Sequence, residues 1–548
     1  MRSILIFNRE RCLACRACEL ACSVAHSQSG QLETAIAEEL PPKRRVTVAA
    51  GKDGIDALRC EQCAEPLCAF SCKSGALHRD PITGWIALEE SRCVGCFMCM
   101  MVCPHGIRPD PATDRVVRCD VCLDREIPAC VAACPTGALA TELPPPRPAP
   151  SEFKGHVVVV GSSAAGIAAC EAAREHAPGC SITLVTADAS PQYSRPLLAY
   201  VLAGRIGRPA IYWPEHDLKV RVLHKVGHAL ACQSLLFDDG TQLAFDRLIV
   251  ATGACASTLS IPGAGLAGIH ALRNLEDLDQ IEKLAAPGRR AVVLGGGNVG
   301  LQTCEALLAR GVAVTVVVTS PHLLSQMVDA EAGRRIADLF IRHGLTVRTG
   351  RDAVEIVGDG HVEGVRLDDG ELIGADLVIV GKGIKPNVEW LRGSGVRVNR
   401  GIVVDLSGRT SVPGVFAAGD CAEAIDPLTG RSAVSGIWPV AYEMGRAAGA
   451  AAVGVERPSA GALRMNASRF FGEPIMSIGE VCPERLEGAS AEVLVNRDGV
   501  YRKLVHHQGR LAGALLYGDI RGAGSFYRLY RESASAPLRS RLGSEPRT

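Results

Sequence analysis

Residues 157–166 of the chain read VVVVGSSAAG. A run of valines that ends in glycine and small residues predicts a buried parallel strand, which turns tightly into a helix. The free N–H groups at the start of such a helix can bind a pyrophosphate. The outer glycines of the dinucleotide fingerprint are present, but Ser163 replaces its middle glycine, so a Rossmann-like domain without a nucleotide fits this stretch alone about as well. The candidate binding residues of this loop are Gly161, Ser163, Ala164, Ala165 and Gly166.

The residues after this loop continue an α/β pattern. Ile167–His176 is expected to form the helix, and Ser181–Val185 the second strand. Asp188 lies about 20 residues past the loop, where an acidic residue binds a ribose in dinucleotide-binding folds.

Four later segments each combine an apolar strand pattern with a glycine-containing turn. They are RLIVATGA at 247–254, AVVLGGGNVG at 291–300, DLVIVGKGIKPN at 376–387 and TSVPGVFAAGD at 410–420. The segment at 291–300 has all three fingerprint glycines at the correct spacing, which predicts a second dinucleotide site. The candidate residues in these segments are Thr252, Gly253, Gly295, Gly297, Asn298, Val299, Gly300, Gly381 and Asp420.

Composition limits the class of protein. The chain has 548 residues with 47% hydrophobic content, which predicts three or four domains with packed cores. Because Lys+Arg 59 balances Asp+Glu 59, bulk charge does not indicate a nucleic-acid partner. The apolar run before the first cysteine is too short for a signal peptide, and no long apolar segment predicts a membrane span, so a cytoplasmic location is expected.

The N-terminal region carries most of the 23 cysteines in four regular motifs. Motif one is Cys12, Cys15, Cys18 and Cys22; motif two is Cys60, Cys63, Cys68 and Cys72; motif three is Cys93, Cys96, Cys99 and Cys103; motif four is Cys119, Cys122, Cys130 and Cys134. A C-x2-C-x2-C loop wraps three thiolates around one [4Fe–4S] cluster, and the fourth cysteine reaches a neighbouring cluster. Zinc ribbons are the alternative, because C-x2-C pairs also bind Zn²⁺. Two motifs with C-x2-C-x2-C-x3-C spacing and two Cys-Pro endings favour four [4Fe–4S] clusters.

Residues 4–142 resemble the four-cluster ferredoxin subunits of molybdenum and tungsten enzymes, formate-linked hydrogenases and carbon monoxide dehydrogenase. The RCVGCFMCMMVCPHG and ACVAACPTGAL stretches carry this resemblance. It implies that motif one pairs with motif four, and motif two with motif three. The implied ligand sets are Cys12, Cys15, Cys18 and Cys134; Cys119, Cys122, Cys130 and Cys22; Cys60, Cys63, Cys68 and Cys103; Cys93, Cys96, Cys99 and Cys72. Lys73 departs from the usual Cys-Pro and is expected to alter local polarity without removing a ligand.

Two segments of the N-terminal half lack cysteines. Gln31–Ile55 is polar and charged, and either a partner-docking arm or a plain connecting loop on the surface fits it. Leu143–Pro150, LPPPRPAP, favours polyproline II and predicts a spacer between domains.

The strand and glycine segments from 155 to about 455, taken together, resemble the pyridine nucleotide–disulfide oxidoreductases. Within this family, the segments most resemble those of rubredoxin reductase, the nitrite reductase flavin domain and ferredoxin–NAD reductases. This resemblance implies FAD on the first loop, Asp420 at the ribityl chain and Arg195 near the isoalloxazine. It also implies an NAD(P) domain inserted into the FAD domain.

Departures from that family change the expected chemistry. The helix after the first loop has only Cys170, and 193–204 has no cysteine, so a thiol relay is not expected. The cysteines outside the motifs are expected to be small buried hydrophobic residues: Cys170, Cys180, Cys232, Cys255, Cys304, Cys421 and Cys482.

The strand that ends at Val317–His322 has no acid for a ribose and no arginine for a 2′-phosphate, and Gln302 replaces a glutamate common in the family. The coenzyme is therefore expected to be NAD(P), marginally NAD by the resemblance.

Residues 456–548 alternate in polarity and resemble the small C-terminal domain of the same reductases, which can build a homodimer contact. Strands are expected at 491–495, 501–506 and 511–518. His506 and His507 fit ordinary sheet and turn positions better than ligand positions. The tail after Ser533 is rich in Ser, Arg and Pro and is expected to be disordered.

The expected fold is a multidomain α/β protein: a ferredoxin-like domain with four [4Fe–4S] clusters, two Rossmann-like domains and a small α+β domain. The expected boundaries are 1–142 for the ferredoxin domain, 143–153 for the linker, 154–269 and 388–455 for the FAD domain, 270–387 for the NAD(P) domain and 456–548 for the C-terminal domain.

The expected function is electron transfer between NAD(P)H and a separate metalloenzyme through FAD and the clusters, with no catalytic side chain because the cofactors carry the chemistry. By resemblance, the partner is of the carbon monoxide dehydrogenase or tungsten/molybdenum aldehyde oxidoreductase type. An electron-wiring or assembly subunit with little turnover alone, and a self-contained reductase of a small acceptor, are the alternatives.

Overall fold

The structure is a computed structural model of the chain. It describes residues 4–40, 42–51, 54–80, 83–110, 112–143, 149–213, 218–231 and 233–542. The chain divides into two compact units. The N-terminal unit comprises Met1–Ala149 and Ile520–Leu529, and the C-terminal unit comprises Pro150–Asp519 and Tyr530–Thr548. Residues 144–148 of the expected polyproline spacer lie outside the described residues.

The N-terminal unit is built from short elements. Its strands are β1 Ile4–Phe7, β2 Thr47–Gly51, β3 Gly54–Leu58, β4 Leu77–Arg79, β5 Ile86–Leu88, β6 Arg108–Asp110, β7 Arg115–Val117 and β8 Leu139–Glu142. Its helices before residue 143 are α1 Ala17–Ala25, α2 Leu32–Ala35, α3 Leu67–Phe70, α4 Met98–Val102 and α5 Ala129–Ala132, with a 3-10 turn at Glu90–Arg92. The strands form antiparallel pairs, β1 with β8, β2 with β3, β4 with β5 and β6 with β7. The first and last strands are neighbours, which brings motifs one and four together.

The cysteine-free segment 31–55 is not a plain surface loop. It contains α2, β2 and the start of β3, and Val46 and Val48 are buried in the core with Leu5, Trp85 and Leu139. The expectation of a wholly superficial insertion was wrong, because the hairpin supplies apolar side chains to that core.

The C-terminal unit contains most of the regular structure. Its strands are β9 His156–Val160, β10 Ser181–Thr186, β11 Arg221–His224, β12 Gly227–Ala231, β13 Ser234–Phe237, β14 Gln242–Ala244, β15 Arg247–Val250, β16 Ala254–Ala256, β17 Ile269–His270, β18 Arg290–Leu294, β19 Ala313–Val318, β20 Thr346–Thr349, β21 Ala353–Val357, β22 Gly364–Leu367, β23 Leu372–Gly374, β24 Leu377–Val380, β25 Ile384–Pro386, β26 Ile402–Val403, β27 Val415–Ala417, β28 Ala422–Ile425, β29 Ser432–Val434, β30 Met465–Phe470, β31 Glu473–Gly479, β32 Ala489–Arg497, β33 Val500–His507 and β34 Arg510–Tyr517. The helices are α6 Ala164–His176, α7 Leu198–Leu202, α8 Leu275–Leu284, α9 Asn298–Ala309, α10 Ala330–Arg342 and α11 Trp438–Ala452; α12 Ala523–Leu542 belongs to the N-terminal unit up to Leu529 and to this unit from Tyr530. Five 3-10 turns lie at Arg195–Leu197, Arg208–Ile211, Glu389–Leu391, Gly419–Cys421 and Pro483–Arg485.

Two parallel five-stranded sheets organise this unit. The first has the order β11-β10-β9-β15-β27, and the second has the order β17-β24-β18-β19-β20. The second sheet lies in the chain between β15 and β27, so the segment that forms it interrupts the first sheet in sequence. The valines of β9 and β18 are buried because helices cover parallel sheets on both faces.

Helices α6 and α11 pack closely on each other. A Cβ at Gly445 would lie 2.1 Å from the carbonyl oxygen of Ala165, and one at Gly449 would lie 2.3 Å from that of Ala169. Two glycines one turn apart on α11 therefore allow the backbones of these helices to touch.

An antiparallel sheet with the order β30-β31-β34-β33-β32 forms the C-terminal part. Helix α12 follows it and continues to Leu542, so the expected disorder after Ser533 was wrong for 534–542, while 543–548 lies outside the described residues. None of the helices in the described ranges is both long and apolar enough to cross a bilayer.

Candidate functional site

Cysteines from the two ends of the N-terminal unit meet around one cavity. The cavity is lined by Cys12, Cys15, Cys18 and Cys134. Ala14 and Arg16 have positive φ angles of 54° and 60°, which coil the loop tightly around this space. Cys15 is exposed, so this group of thiols lies at the surface.

A second cavity is lined by Cys72, Cys93, Cys96 and Cys99. Phe97, in the loop of motif three, has a positive φ of 58°, which matches the position of Arg16 in motif one. The two motifs of the same spacing thus build the same loop.

The remaining eight motif cysteines act on one another through their charges. Burial, followed by the charges of Cys103, Cys60 and Cys63 among others, raises the pKa of the Cys68 thiol well above its usual value. Burial likewise raises the pKa of Cys130, with further contributions from Cys119, Cys22 and Cys122. The two cavities therefore bring together the cysteines of two of the implied sets; the other two sets, and the role of all these thiols as ligands, stay predictions.

The chemistry of these groups fits iron–sulfur clusters. Burial raises the pKa of most of these thiols, for example that of Cys103 to about 11, so a bound metal has to replace the proton for the thiolates to form. Backbone N–H groups donate to the sulfurs: Arg45 to Cys22 at 3.2 Å, Leu77 to Cys72 at 3.3 Å, Val121 to Cys119 at 3.4 Å and Leu139 to Cys134 at 3.5 Å. Such hydrogen bonds to sulfur are among the features that set cluster potentials.

Charged side chains surround the cysteines. His26 lies 3.6 Å from Cys22 Sγ and 3.2 Å from Asp120, which also pairs with Arg45. Burial opposes the charged form of His26, but its hydrogen bonds with Asp120 and Cys22 raise its pKa to about 9. Lys73, next to Cys72, is buried.

The loop between β9 and α6 needs glycine at two positions. Gly161 has φ +116°, and a Cβ there would lie 2.1 Å from the carbonyl oxygen of Ala251. A Cβ at Gly166 would lie 1.7 Å from the carbonyl oxygen of Gly161. Ser163 is the N-cap of α6 but makes no side-chain capping hydrogen bond. Ala164 and Ala165 form the buried first turn of the helix.

The loop between β18 and α9 repeats this construction. Gly295 has φ +123°, and its Cβ would lie 2.4 Å from the carbonyl oxygen of Gly381; a Cβ at Gly300 would lie 2.2 Å from that of Gly295. Gly297 caps α9 and has nothing within 4 Å of an added Cβ, so space for a ligand lies beside it. Asn298 accepts a hydrogen bond from Ser468 at 2.6 Å, and Val299 is exposed.

Four charged residues form a network between the end of β10 and the end of β27. Asp188 lies 3.4 Å from Arg195, which also donates to the carbonyl oxygen of Arg273 at 3.2 Å. Arg273 in turn donates to Asp420 at 2.8 Å. The structure thus brings the predicted residues Asp188, Arg195 and Asp420 into one network. Sequence reasoning missed Arg273, because no motif marks the position.

Thr252 and Gly253 lie where β15 ends. The Thr252 hydroxyl donates to the carbonyl oxygen of Asn387 at 2.8 Å, and the Asn387 amide donates back to that of Thr252 at 3.0 Å. This pair ties the ends of two segments that the glycine pattern singled out.

At the end of β19, the expected coenzyme-selecting position, Arg351 donates its backbone N–H to Val318 at 3.2 Å, and its guanidinium pairs with Asp369 at 2.8 Å. The sequence did not point to Arg351, since it follows a different strand.

The cysteines outside the motifs that the structure describes are free thiols. Cys170, Cys180, Cys304, Cys421 and Cys482 are buried free thiols, as expected. Cys255 is exposed, so its assignment as a buried residue was wrong; it lies on β16, which pairs only with β25. Cys232 lies outside the described residues.

Two parallel sheets with matching glycine loops, one interrupting the other in sequence, define a two-dinucleotide flavoprotein oxidoreductase. The chain belongs to the pyridine nucleotide-disulphide oxidoreductase family, whose model matches residues 155–445. A 4Fe-4S dicluster domain matches residues 54–142, and the rubredoxin NAD⁺ reductase C-terminal domain matches residues 465–534. The matches join a family of NAD(P)H-dependent FAD oxidoreductases to an iron–sulfur domain, and for residues 54–142 they favour iron–sulfur clusters over zinc.

Three relatives illustrate the match. The chain is 33% identical over 406 residues to the NADH-dependent phenylglyoxylate dehydrogenase subunit epsilon of Aromatoleum evansii, covering 71% of this chain and 94% of that protein. It is 31% identical over 398 residues to the nitrite reductase [NAD(P)H] of Bacillus subtilis (strain 168), covering 71% of this chain but only 49% of the relative, so it spans about half of that protein's length. The crystal structure of the ferredoxin reductase for the CYP199A2 system from Rhodopseudomonas palustris has a TM-score of 0.61 and 25% identity, and covers 66% of this chain and 91% of that one.

Proposed function

We propose that the chain transfers electrons between NAD(P)H and a separate metalloenzyme through FAD and four [4Fe–4S] clusters. The observation that carries this proposal is that cysteines of motifs one and four line one cavity of the N-terminal unit, while cysteines of motifs two and three line another. A bound flavin supplies the conversion between a hydride and single electrons, which NAD(P)H and clusters require.

In this proposal each group holds one cluster. The ligand sets are Cys12, Cys15, Cys18 and Cys134; Cys22, Cys119, Cys122 and Cys130; Cys60, Cys63, Cys68 and Cys103; Cys72, Cys93, Cys96 and Cys99. The N–H donors to sulfur would stabilise the thiolates in these sets.

The two glycine loops divide the nucleotides between them. FAD is assigned to 154–269 and 388–455, with its pyrophosphate at the start of α6, because Gly161 and Gly166 let the backbone turn there. Asp188 would bind the ribose, Arg195 would lie near the isoalloxazine, and Asp420 would bind the ribityl chain. NAD(P) is assigned to 270–387, with its pyrophosphate at the start of α9.

The partner is proposed to be a separate metalloenzyme. The name of the Aromatoleum relative describes a subunit of an NADH-dependent dehydrogenase, which supports a role as the electron-transfer subunit of a larger enzyme. A carbon monoxide dehydrogenase or a tungsten/molybdenum aldehyde oxidoreductase is the proposed partner type. Residues 456–548 are proposed to form the C-terminal domain and a homodimer contact.

Metal and flavin analysis combined with dye reduction tests the proposal. The reconstituted protein is expected to hold about 16 iron atoms and one FAD per chain, four iron atoms for each cluster. It should reduce a one-electron dye with NADH or NADPH. Negligible dye reduction by the fully loaded protein would indicate a wiring subunit. Unchanged peroxide or disulfide reduction after removal of all clusters would indicate a self-contained reductase.

A further inference from the structure

Arg118 is a buried cation in the N-terminal unit. The residue is 5% exposed, and in the sequence it lies between β7 and Cys119. Its Nη2 donates to Cys60 Sγ at 3.2 Å, and its Nη1 donates to the carbonyl oxygen of Ile86. The guanidinium therefore contacts a cysteine of motif two although its own place in the chain is next to motif four.

The positive charges of Arg118 and of Arg59, the arginine before motif two, have different partners. Arg59, 8% exposed, donates to the carbonyl oxygens of Ala57 at 3.0 Å and Leu5 at 3.3 Å, and it pairs with Glu61 at 3.4 Å. In the described part of the chain, no carboxylate oxygen is recorded within the 4.0 Å ion-pair distance of Arg118. The acidic groups that face Arg118 are thiols, those of Cys60, Cys68 and Cys119.

A cation in this position favours the reduction of a cluster bound next to it. Four thiolates give a [4Fe–4S] site a net negative charge, and reduction adds one more electron to it. A fixed positive charge that donates to a ligand sulfur stabilises the more negative, reduced form, and the effect is strong where water is excluded. Arginine keeps its proton at any accessible pH, so this charge is permanent.

We propose that Arg118 raises the reduction potential of the cluster that Cys60, Cys63, Cys68 and Cys103 would hold. The inference rests on the proposed function, because it needs a cluster at these cysteines. Arg118 is a positioning and tuning residue, since it touches a ligand rather than the reacting atoms.

The test is an anaerobic redox titration followed by electron paramagnetic resonance, with iron counted in every sample. Arg118→Gln removes the charge, and the double variant Arg59→Gln/Glu61→Gln is the matched control, because it removes a neighbouring ion pair without changing net charge. In Arg118→Gln with a full complement of iron, one midpoint potential is expected to fall by about 59 mV or more. For a one-electron couple, this shift is a tenfold change in the ratio of reduced to oxidised cluster. The control is expected to leave the midpoints within a threefold change of that ratio.

Unchanged midpoints in iron-complete Arg118→Gln, or an equal fall in the control, would overturn the inference. If Arg118→Gln loses iron, Arg118→Met decides, because methionine fills the buried space with an unbranched side chain that carries no charge; a fall of the same size is expected, and an unchanged set of midpoints in an iron-complete protein refutes the role. Wild-type protein that holds fewer than four clusters would instead refute the proposed function, and the two failures are therefore distinguishable.

Discussion

Gly297→Ala separates coenzyme binding from folding at the start of α9. Gly297 has φ −77° and ψ 178°, which any residue can adopt, and nothing lies within 4 Å of the Cβ that alanine would add. The substitution should therefore leave the domain intact or stabilise it by about 0.4–1 kcal/mol through the unfolded state. The new methyl group would occupy the space where the pyrophosphate is proposed to approach the backbone N–H groups.

The size of the effect follows from the hydrogen bonds lost. A hydrogen bond to a charged group contributes about 1.5–3 kcal/mol, and 1.4 kcal/mol is a tenfold change in affinity. Loss of one such bond predicts a Kd for NADH or NADPH about 10- to 150-fold higher.

The assay combines coenzyme titration with thermal unfolding and FAD content. Gly300→Ala is the comparison, because its Cβ would lie 2.2 Å from the carbonyl oxygen of Gly295, and overpacking of about 1–3 kcal/mol should lower thermal stability as well as affinity. Gly297→Ala with wild-type affinity and wild-type stability would refute the placement of the coenzyme on this loop.

Three further changes have expected outcomes. Gly161→Ala should yield protein without FAD, because its Cβ would overlap the carbonyl oxygen of Ala251 at 2.1 Å in a backbone conformation reserved for glycine; normal flavin absorbance would contradict this. Asp329→Ala should destabilise the C-terminal unit by about 3–5 kcal/mol, because it leaves the buried Lys503 ammonium and the Tyr501 hydroxyl, each 2.8 Å from its carboxylate, without that partner; a melting temperature equal to wild type would show that the ion pair contributes nothing. Removal of the clusters by an iron chelator under reducing conditions should leave FAD bound and NAD(P)H oxidation by the flavin intact while long-wavelength cluster absorbance disappears; loss of the flavin together with iron would mean that the units do not fold independently.

Local sequence patterns were sufficient for the elements that carry the cofactor loops. The valines of β9 and β18 and the glycines after them specify a strand and a turn within a few residues, and the structure has them there. The helix after the first loop starts at Ala164, three residues before the expected start at Ile167, because Ser163 takes the N-cap position.

Contacts between segments far apart in the sequence could not be predicted from local patterns. The burial of Val46 depends on strands that lie far away in sequence, so polarity and proline content alone suggested a surface loop. Arg118 and Arg273 belong to no motif, and their partners Cys60 and Asp420 are brought close only by the fold. Spacing therefore predicts the candidate cluster cysteines, and the resemblance implies Asp420, but neither predicts the arginines that contact them.

The most direct test of the central claim is an anaerobic stopped-flow titration of the reconstituted protein with NADH and, separately, NADPH, which follows flavin bleaching and cluster absorbance together. The account predicts that the flavin bleaches first and the clusters follow, and the faster coenzyme identifies the preferred one. Flavin bleaching with clusters that stay oxidised, although dithionite reduces them at a potential accessible to NAD(P)H, would contradict electron transfer from FAD to the clusters.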